Sequence, residues 1–112
     1  MILTILINGC ASIRAPHENI TQAKTSIRNA DDAGARTHAP LLFRNAEKKL
    51  DSAKGSMQQK EYQQAKMYAE RAEIDADLAQ FTSRSIKAQK SVDELNESIK
   101  MLRKEIGLTE TN

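Results

Sequence analysis

A run of small and apolar residues spaced by three and four positions, within residues 40–80, constrains the fold more than any other feature of this sequence. Such spacing places side chains on one face of an α-helix. Residues 55–61 form helices poorly and break the phase of the pattern. We therefore predict two antiparallel helices joined near residues 55–60, with alanines that let the backbones approach closely. The residues expected in this contact are Leu50, Ala53, Tyr62, Ala65, Ala69, Ala72 and Ala76.

Two prolines and one glycine organise the chain before this hairpin. Pro16 and Pro40 each suit the first position of a helix, where the missing N–H is not needed. A stripe at Ile20, Ala23, Ile27 and Ala30 predicts a short N-terminal helix, Gly34 is a stop signal, and residues 34–39 are predicted to be a connection. No segment of the sequence alternates as a strand would. The predicted fold class is all-α, with the alanine-rich domain over residues 16–85.

The third helix is predicted to be much longer than its partner. From near residue 61 to Gly107 it would measure roughly 69 Å, against roughly 28 Å for the second helix. Residues 86–106 should therefore project as a coiled-coil-like arm, and residues 107–112 should form a disordered tail. An exposed heptad stripe on such an arm needs a partner helix, and we favour a second copy over another protein. The stripe consists of Val92, Leu95, Ile99, Leu102 and Ile106, and its phase continues back through Phe81, Leu78, Ile74 and Met67.

The chain begins with an apolar run that ends at a cysteine. Residues 1–9 are far fewer than the about 20 needed to span a bilayer, but they match the hydrophobic region of a signal peptide. No basic residue precedes the run, which predicts a natural start upstream of Met1. Cys10 is the only cysteine. The alternative to a modified cysteine is a buried free thiol at the edge of a small core.

The segment Ile7, Asn8, Gly9, Cys10 resembles a bacterial lipobox. This resemblance implies that Cys10 carries a covalent lipid and is the mature N-terminus, with residues 10–15 as a lipidated tether. The alanine at position 11 implies sorting to the outer membrane, on its periplasmic face. The membrane is then one partner, through the lipid anchor, and no other cofactor is expected.

A wider resemblance rests on the step Ala33-Gly34-Ala35, on His38-Ala39-Pro40, and on the alanine ladder that starts at Tyr62. Over roughly residues 10–90 these features resemble domain of unknown function 4398 (DUF4398), an alanine-rich domain of proteobacterial envelope lipoproteins. Members commonly have tyrosine where His38 stands. The resemblance implies an envelope location and supplies no activity.

No constellation of residues indicates catalysis. His17 and His38 fall in different predicted segments, whereas a zinc site needs three or four ligands. Glu70, Glu73 and Asp77 share a helix face with basic residues between them, which favours exposed ion pairs over a metal or acid–base site. We predict that the protein is not an enzyme and binds neither a metal nor a small-molecule substrate.

The charge pattern also argues against nucleic acid as a partner. The net charge is +2, acidic and basic residues are interspersed, and tryptophan is absent, whereas nucleic-acid binding needs a concentrated basic face with stacking aromatics. The leading hypothesis is a lipid-anchored structural or interaction scaffold. The alternative is a soluble helical adaptor that resembles half of a tetratricopeptide-like array, with the alanine ladder as its partner groove. An accessory subunit of an enzyme is a third, weaker hypothesis.

Overall fold

Four α-helices account for almost all of the described chain in the computed structural model, which covers residues 14–109, with side-chain environments for residues 14–107. No described residue lies in a strand. The predicted all-α class and the long final helix are confirmed. The helices are α1 (His17–Asp32), α2 (Ala35–His38), α3 (Pro40–Gln58) and α4 (Tyr62–Thr109).

The segment between α1 and α3 is more ordered than the predicted connection, because it contains the single turn of α2. Gly34 has a φ of 86°, a left-handed conformation that glycine adopts without strain, and this ends α1. The carbonyl of Gly34 then accepts N–H groups from Thr37 and His38, at 3.1 and 3.0 Å. The turn satisfies these backbone groups while it buries Ala35 and Ala39 in the core.

The turn between α3 and α4 lies at residues 59–61, at the C-terminal end of the predicted join, because α3 continues through Gly55 to Gln58. The N–H of Glu61 donates to the carbonyl of Ser56 at 2.9 Å, and the N–H of Lys60 donates to Met57 at 3.1 Å. This pair of bonds is the Schellman arrangement, which needs a left-handed residue after the helix. Lys60, with a φ of 60°, occupies that position in place of the usual glycine.

The core consists of two clusters that each combine α1, α3 and α4, which reveals the directions of the helices. One cluster contains Ala30, Ala35, Ala39, Phe43, Ala46, Ala76 and Ala79. The other contains Ile20, Ala23, Leu50, Ala53, Ala69 and Ala72. Early residues of α1 meet early residues of α4, so these two helices run parallel. Early residues of α3 meet late residues of α4, so α3 runs antiparallel to it.

The bundle ends at Ser83, the last buried residue of α4, whose hydroxyl donates to the carbonyl of Ala79 at 2.7 Å. All described side chains from residue 84 to residue 107 are exposed. The 48 residues of α4 make a helix of roughly 72 Å, of which about 39 Å lies beyond Ser83.

The predicted start of the tail at residue 107 is wrong, since α4 passes through Gly107 to Thr109. A single glycine costs a helix only about 1 kcal/mol relative to alanine, which does not by itself end it. Residues 110–112 lie outside the described part of the chain. None of the described helices is long and apolar enough to cross a membrane.

Candidate functional site: the apolar seam of α4

The alanine ladder of α4 is completely covered. Ala65, Ala69, Ala72 and Ala76 are each 0% exposed, as is Ala53 of α3, and Leu50 is buried beside them. Both α1 and α3 contact this face, so it offers no open groove to a partner. The tetratricopeptide-like adaptor hypothesis relied on such a groove.

Tyr62 differs from the other residues expected in the hairpin contact. It is half-buried at the first position of α4 and belongs to neither core cluster. Tyr68, also half-buried, packs against the second cluster together with Met57 and Ile27. Tyr62 and Tyr68 lie about 120° apart around α4, so the two tyrosines do not share one helix face.

The opposite side of α4 carries a second apolar face that no other helix covers. We call this face the α4 seam and define it by seven side chains that are between 38% and 71% exposed. They are Ile74, Leu78, Phe81, Val92, Leu95, Ile99 and Leu102. Large apolar side chains that are exposed together along one helix face usually mark a surface that contacts another molecule.

The seam follows a heptad repeat of alternating three- and four-residue steps. Leu78, Val92 and Ile99 occupy a positions, and Ile74, Phe81, Leu95 and Leu102 occupy d positions. Ser85 and Ala88 are the a and d residues in the middle of the row, beside the end of the bundle. Ile106 continues the a positions and is 57% exposed.

Two exposed apolar residues of the arm, Ile86 and Met101, lie off the seam at b and c positions. Met67 falls on a d position at the start of the same row and is 36% exposed. The sequence gives no signal for the exposure of Ile86 and Met101, because these two residues do not extend the heptad pattern. They widen the apolar surface without changing its direction.

The charged residues of the arm lie mainly away from the seam and pair with one another along the helix. Lys90 and Glu94 are 3.8 Å apart, at f and c positions. Lys100 and Glu97 are 3.6 Å apart, at b and f positions. Charges at b, c and f keep the outer side of a coiled-coil helix in solvent.

The chain enters the bundle at the end that is remote from the arm. Residues 14–19 lie around a surface depression that they share with Lys66, near the start of α4. Because α1 runs parallel to α4, the arm extends in the other direction. Cys10 and the proposed lipobox lie outside the described residues.

Arg36 forms the most connected polar group on the surface. Its guanidinium donates to Asp31 at 2.9 Å and to Glu47 at 3.3 Å, and it stacks over the Phe43 ring at 4.5 Å. The hydrogen bond to Asp31 raises the pKa of Arg36 above its ordinary value. These contacts join the end of α1 to α2 and α3, which is a structural role.

The described residues contain few side chains that are grouped in a way that could bind a metal or take part in catalysis. They contain no group of three or more histidine, cysteine, aspartate or glutamate side chains that could hold a metal. His17 lies at the N-terminal depression and His38 at the end of α2, in different parts of the bundle. Of the acidic residues considered above, Glu70 faces Lys66 at 3.7 Å.

Comparison with known families gives one match. The family model described as "Domain of unknown function (DUF4398)" matches residues 18–95, which is more than half of the chain. The matched region contains α1, α2, α3 and the first part of α4 as far as Leu95. No curated protein and no solved structure matches the chain. The chain therefore belongs to the DUF4398 family.

Proposed function

We propose that this protein is a lipid-anchored scaffold on the periplasmic face of the outer membrane, and that the arm of α4 holds a protein partner. The observation that carries the proposal is the α4 seam, which remains exposed although the rest of the bundle buries its apolar face. Fully burying one aliphatic side chain is worth about 1.5–3 kcal/mol, so a partner helix on this face would be strongly favoured.

The arrangement of the helices fits such a scaffold. Cys10 precedes the described chain by only a few residues, so a lipid at Cys10 would lie near the start of α1. The bundle would then sit close to the membrane, and α4 would extend away from it. From Lys66 to Thr109 this distance is roughly 65 Å at 1.5 Å per residue. In this proposal the arm, residues 86–106, forms a coiled coil roughly 30–60 Å from Lys66.

The anchor is supported by the sequence Ile7-Asn8-Gly9-Cys10 after an apolar run, and by the presence of only one cysteine. The proposal contains no catalytic step and no cofactor besides the covalent lipid. It assigns neither a small-molecule substrate nor a nucleic acid.

Labelling with radioactive palmitate tests the anchor. We expect the full chain to incorporate label and to fractionate with the outer membrane, and Cys10→Ser to abolish incorporation and release the protein or block its processing. Ser12→Ala is the matched control, because it changes a neighbouring residue and leaves the thiol in place. Membrane fractionation of Cys10→Ser that equals that of the unaltered chain would contradict the anchor.

Photocrosslinking in cells tests the arm. A photoreactive benzoylphenylalanine at position 95 lies on the seam, whereas the same group at position 100 lies on a b position of the same helix. We expect crosslinked protein adducts from position 95 and few from position 100. Equal yields from both positions would show that the seam is not the surface that holds a partner.

A further inference from the structure

We infer that the partner of the α4 seam is a second copy of this chain, paired in parallel and in register from Ile74 to Leu102. This inference rests on the proposed function, in that it identifies the partner of the arm. It extends the contact beyond the arm, because Ile74, Leu78 and Phe81 belong to the part of α4 that lies in the bundle. The number of helices follows from the residue types along the seam, and the parallel orientation follows from the lipid anchors, which enter the same membrane.

The residues in the arm layers favour two strands if the helices are parallel. The a positions hold the β-branched Val92 and Ile99, and the d positions hold Leu95 and Leu102. β-Branched residues at a combined with leucine at d favour a parallel two-stranded coiled coil over higher oligomers.

From Phe81 onward the flanking positions accept an identical helix, whereas at the first layer Asp75 would meet Glu70 of the second copy, two like charges. In a parallel pair each g residue meets the e residue five positions later on the partner. In the arm, Ser91 would meet Asn96 and Ser98 would meet Arg103, so neither contact brings two like charges together. Arg84 would meet Gln89, with the same result. The charged ion-paired residues at b, c and f stay outside the interface.

The bundle does not obstruct this pairing. The helices α1 and α3 contact the alanine face of α4, and the seam lies on the other side, with Phe81 71% and Ile74 64% exposed. At Ser85 and Ala88 two small side chains from each copy would face each other, which allows the helices to approach closely where the bundle ends. Each bundle would then lie on the outer side of the central pair of helices.

The seam supplies part of the surface area that a stable pair needs. Full burial of an aliphatic side chain removes roughly 60–120 Å² from water, and the seam side chains are 38–71% exposed, so the seven of them in two copies would bury about 500–900 Å². Specific interfaces between proteins typically bury about 1,200–2,000 Å² in total, and the flanking e and g residues of the paired helices would supply the rest. The parallel orientation also places both N-termini at the same end, where two lipid anchors could enter one membrane.

Disulfide crosslinking of the full chain, purified in a mild nonionic detergent with Cys10 intact, tests this inference. A disulfide needs Cα atoms about 4.4–6.8 Å apart, which paired d positions provide and b positions do not. We expect Leu95→Cys and Leu102→Cys each to give covalent dimers on oxidation, at a yield at least tenfold that of Lys100→Cys. The unaltered chain, with Cys10 alone, sets the background.

Two results would overturn the inference. A crosslink that forms only when Leu95→Cys is mixed with Ser85→Cys would show an antiparallel pair. A second copy would be excluded if two results are found together. Positions 95 and 102 would give no crosslink above background, and the unaltered chain would be a monomer by sedimentation equilibrium after subtraction of bound detergent. Palmitate labelling and the adducts from position 95 would still report on the anchor and on another partner, so the proposed function is tested separately.

Discussion

The substitution Ala69→Leu tests the close packing on which the bundle depends. Ala69 is 0% exposed and shares a cluster with Leu50 and Ala53 of α3 and with Ala23 of α1. A leucine side chain at this position has no space unless the helices separate or the neighbouring side chains leave their preferred rotamers. Overpacking of this kind costs about 1–3 kcal/mol.

This free energy translates into a clear change in melting temperature. For a domain of about 60–100 residues, 1 kcal/mol corresponds to roughly 4–8 °C, so Ala69→Leu should lower the melting temperature by about 5–20 °C. Thermal unfolding followed by far-ultraviolet circular dichroism measures the shift. The effect should be pronounced, because the core is built from alanines and contains few large side chains that could repack.

Lys66→Leu is the matched control, because it introduces the same side chain one turn earlier on the same helix. The Lys66 side chain is 56% exposed, and its 3.7 Å ion pair with Glu70 is a surface pair worth about 0–1 kcal/mol. We expect a change within about 1 kcal/mol. Equal and small shifts for Ala69→Leu and Lys66→Leu would refute the assignment of the packed face.

Two further predictions concern the backbone and the ion pair between Lys49 of α3 and Asp75 of α4. Gly34→Ala should destabilise the bundle by about 1–2 kcal/mol, because the φ of Gly34 is 86° and the new Cβ would lie 3.3 Å from the His38 side chain. Gly55→Ala should instead stabilise the bundle by about 0.5–1 kcal/mol, because Gly55 lies within a helix and the new Cβ meets nothing within 4 Å. Urea unfolding measures both changes, and the same sign for the two would contradict this account of the turn. The Lys49 and Asp75 side chains are 2.6 Å apart, and the Asp75 side chain is only 17% exposed. A double-mutant cycle should give a coupling free energy of about 1 kcal/mol, and this coupling should weaken as salt is added. A coupling of zero would show that the pair does not join the two helices.

The parts of the fold that the sequence predicted are those that depend on helical periodicity. Residues such as Ala69 and Ala76 recur at the helical period, and they lie buried on one face of α4. The approximate length of α4 was predictable because no proline interrupts it, but its end at Thr109 was not, because Gly107 suggested an earlier stop. Family membership followed from the same alanine ladder.

The features that the sequence did not predict depend on local geometry or on contacts between distant residues. Four residues are too few for α2 to show a period, so residues 35–38 were assigned to a connection. The sequence does not indicate that Lys60 adopts the left-handed conformation in the turn, because glycine, as at Gly55, is the usual residue there. The contacts of Arg36 with Glu47 and Phe43 join separate helices and have no signature in the sequence.

The candidate site was predictable as a pattern but not as a surface. Two apolar faces of α4, one through Ala72 and one through Leu78, were both visible in the sequence. Which of them packs inside the bundle depends on the positions of α1 and α3, and only the structure gives these. The structure covers the alanine face and leaves the α4 seam exposed.

Hydrogen exchange of the arm in a dilution series tests most directly the central claim that the α4 seam pairs with a second copy. An isolated helix without a packed face is marginal in water, so the amides of residues 86–106 should owe their protection to pairing. The account predicts that these amides are protected at high concentration and lose protection on dilution, while those of residues 65–79 stay constant. Exchange of residues 86–106 at the rate of an unstructured chain at every concentration would contradict it.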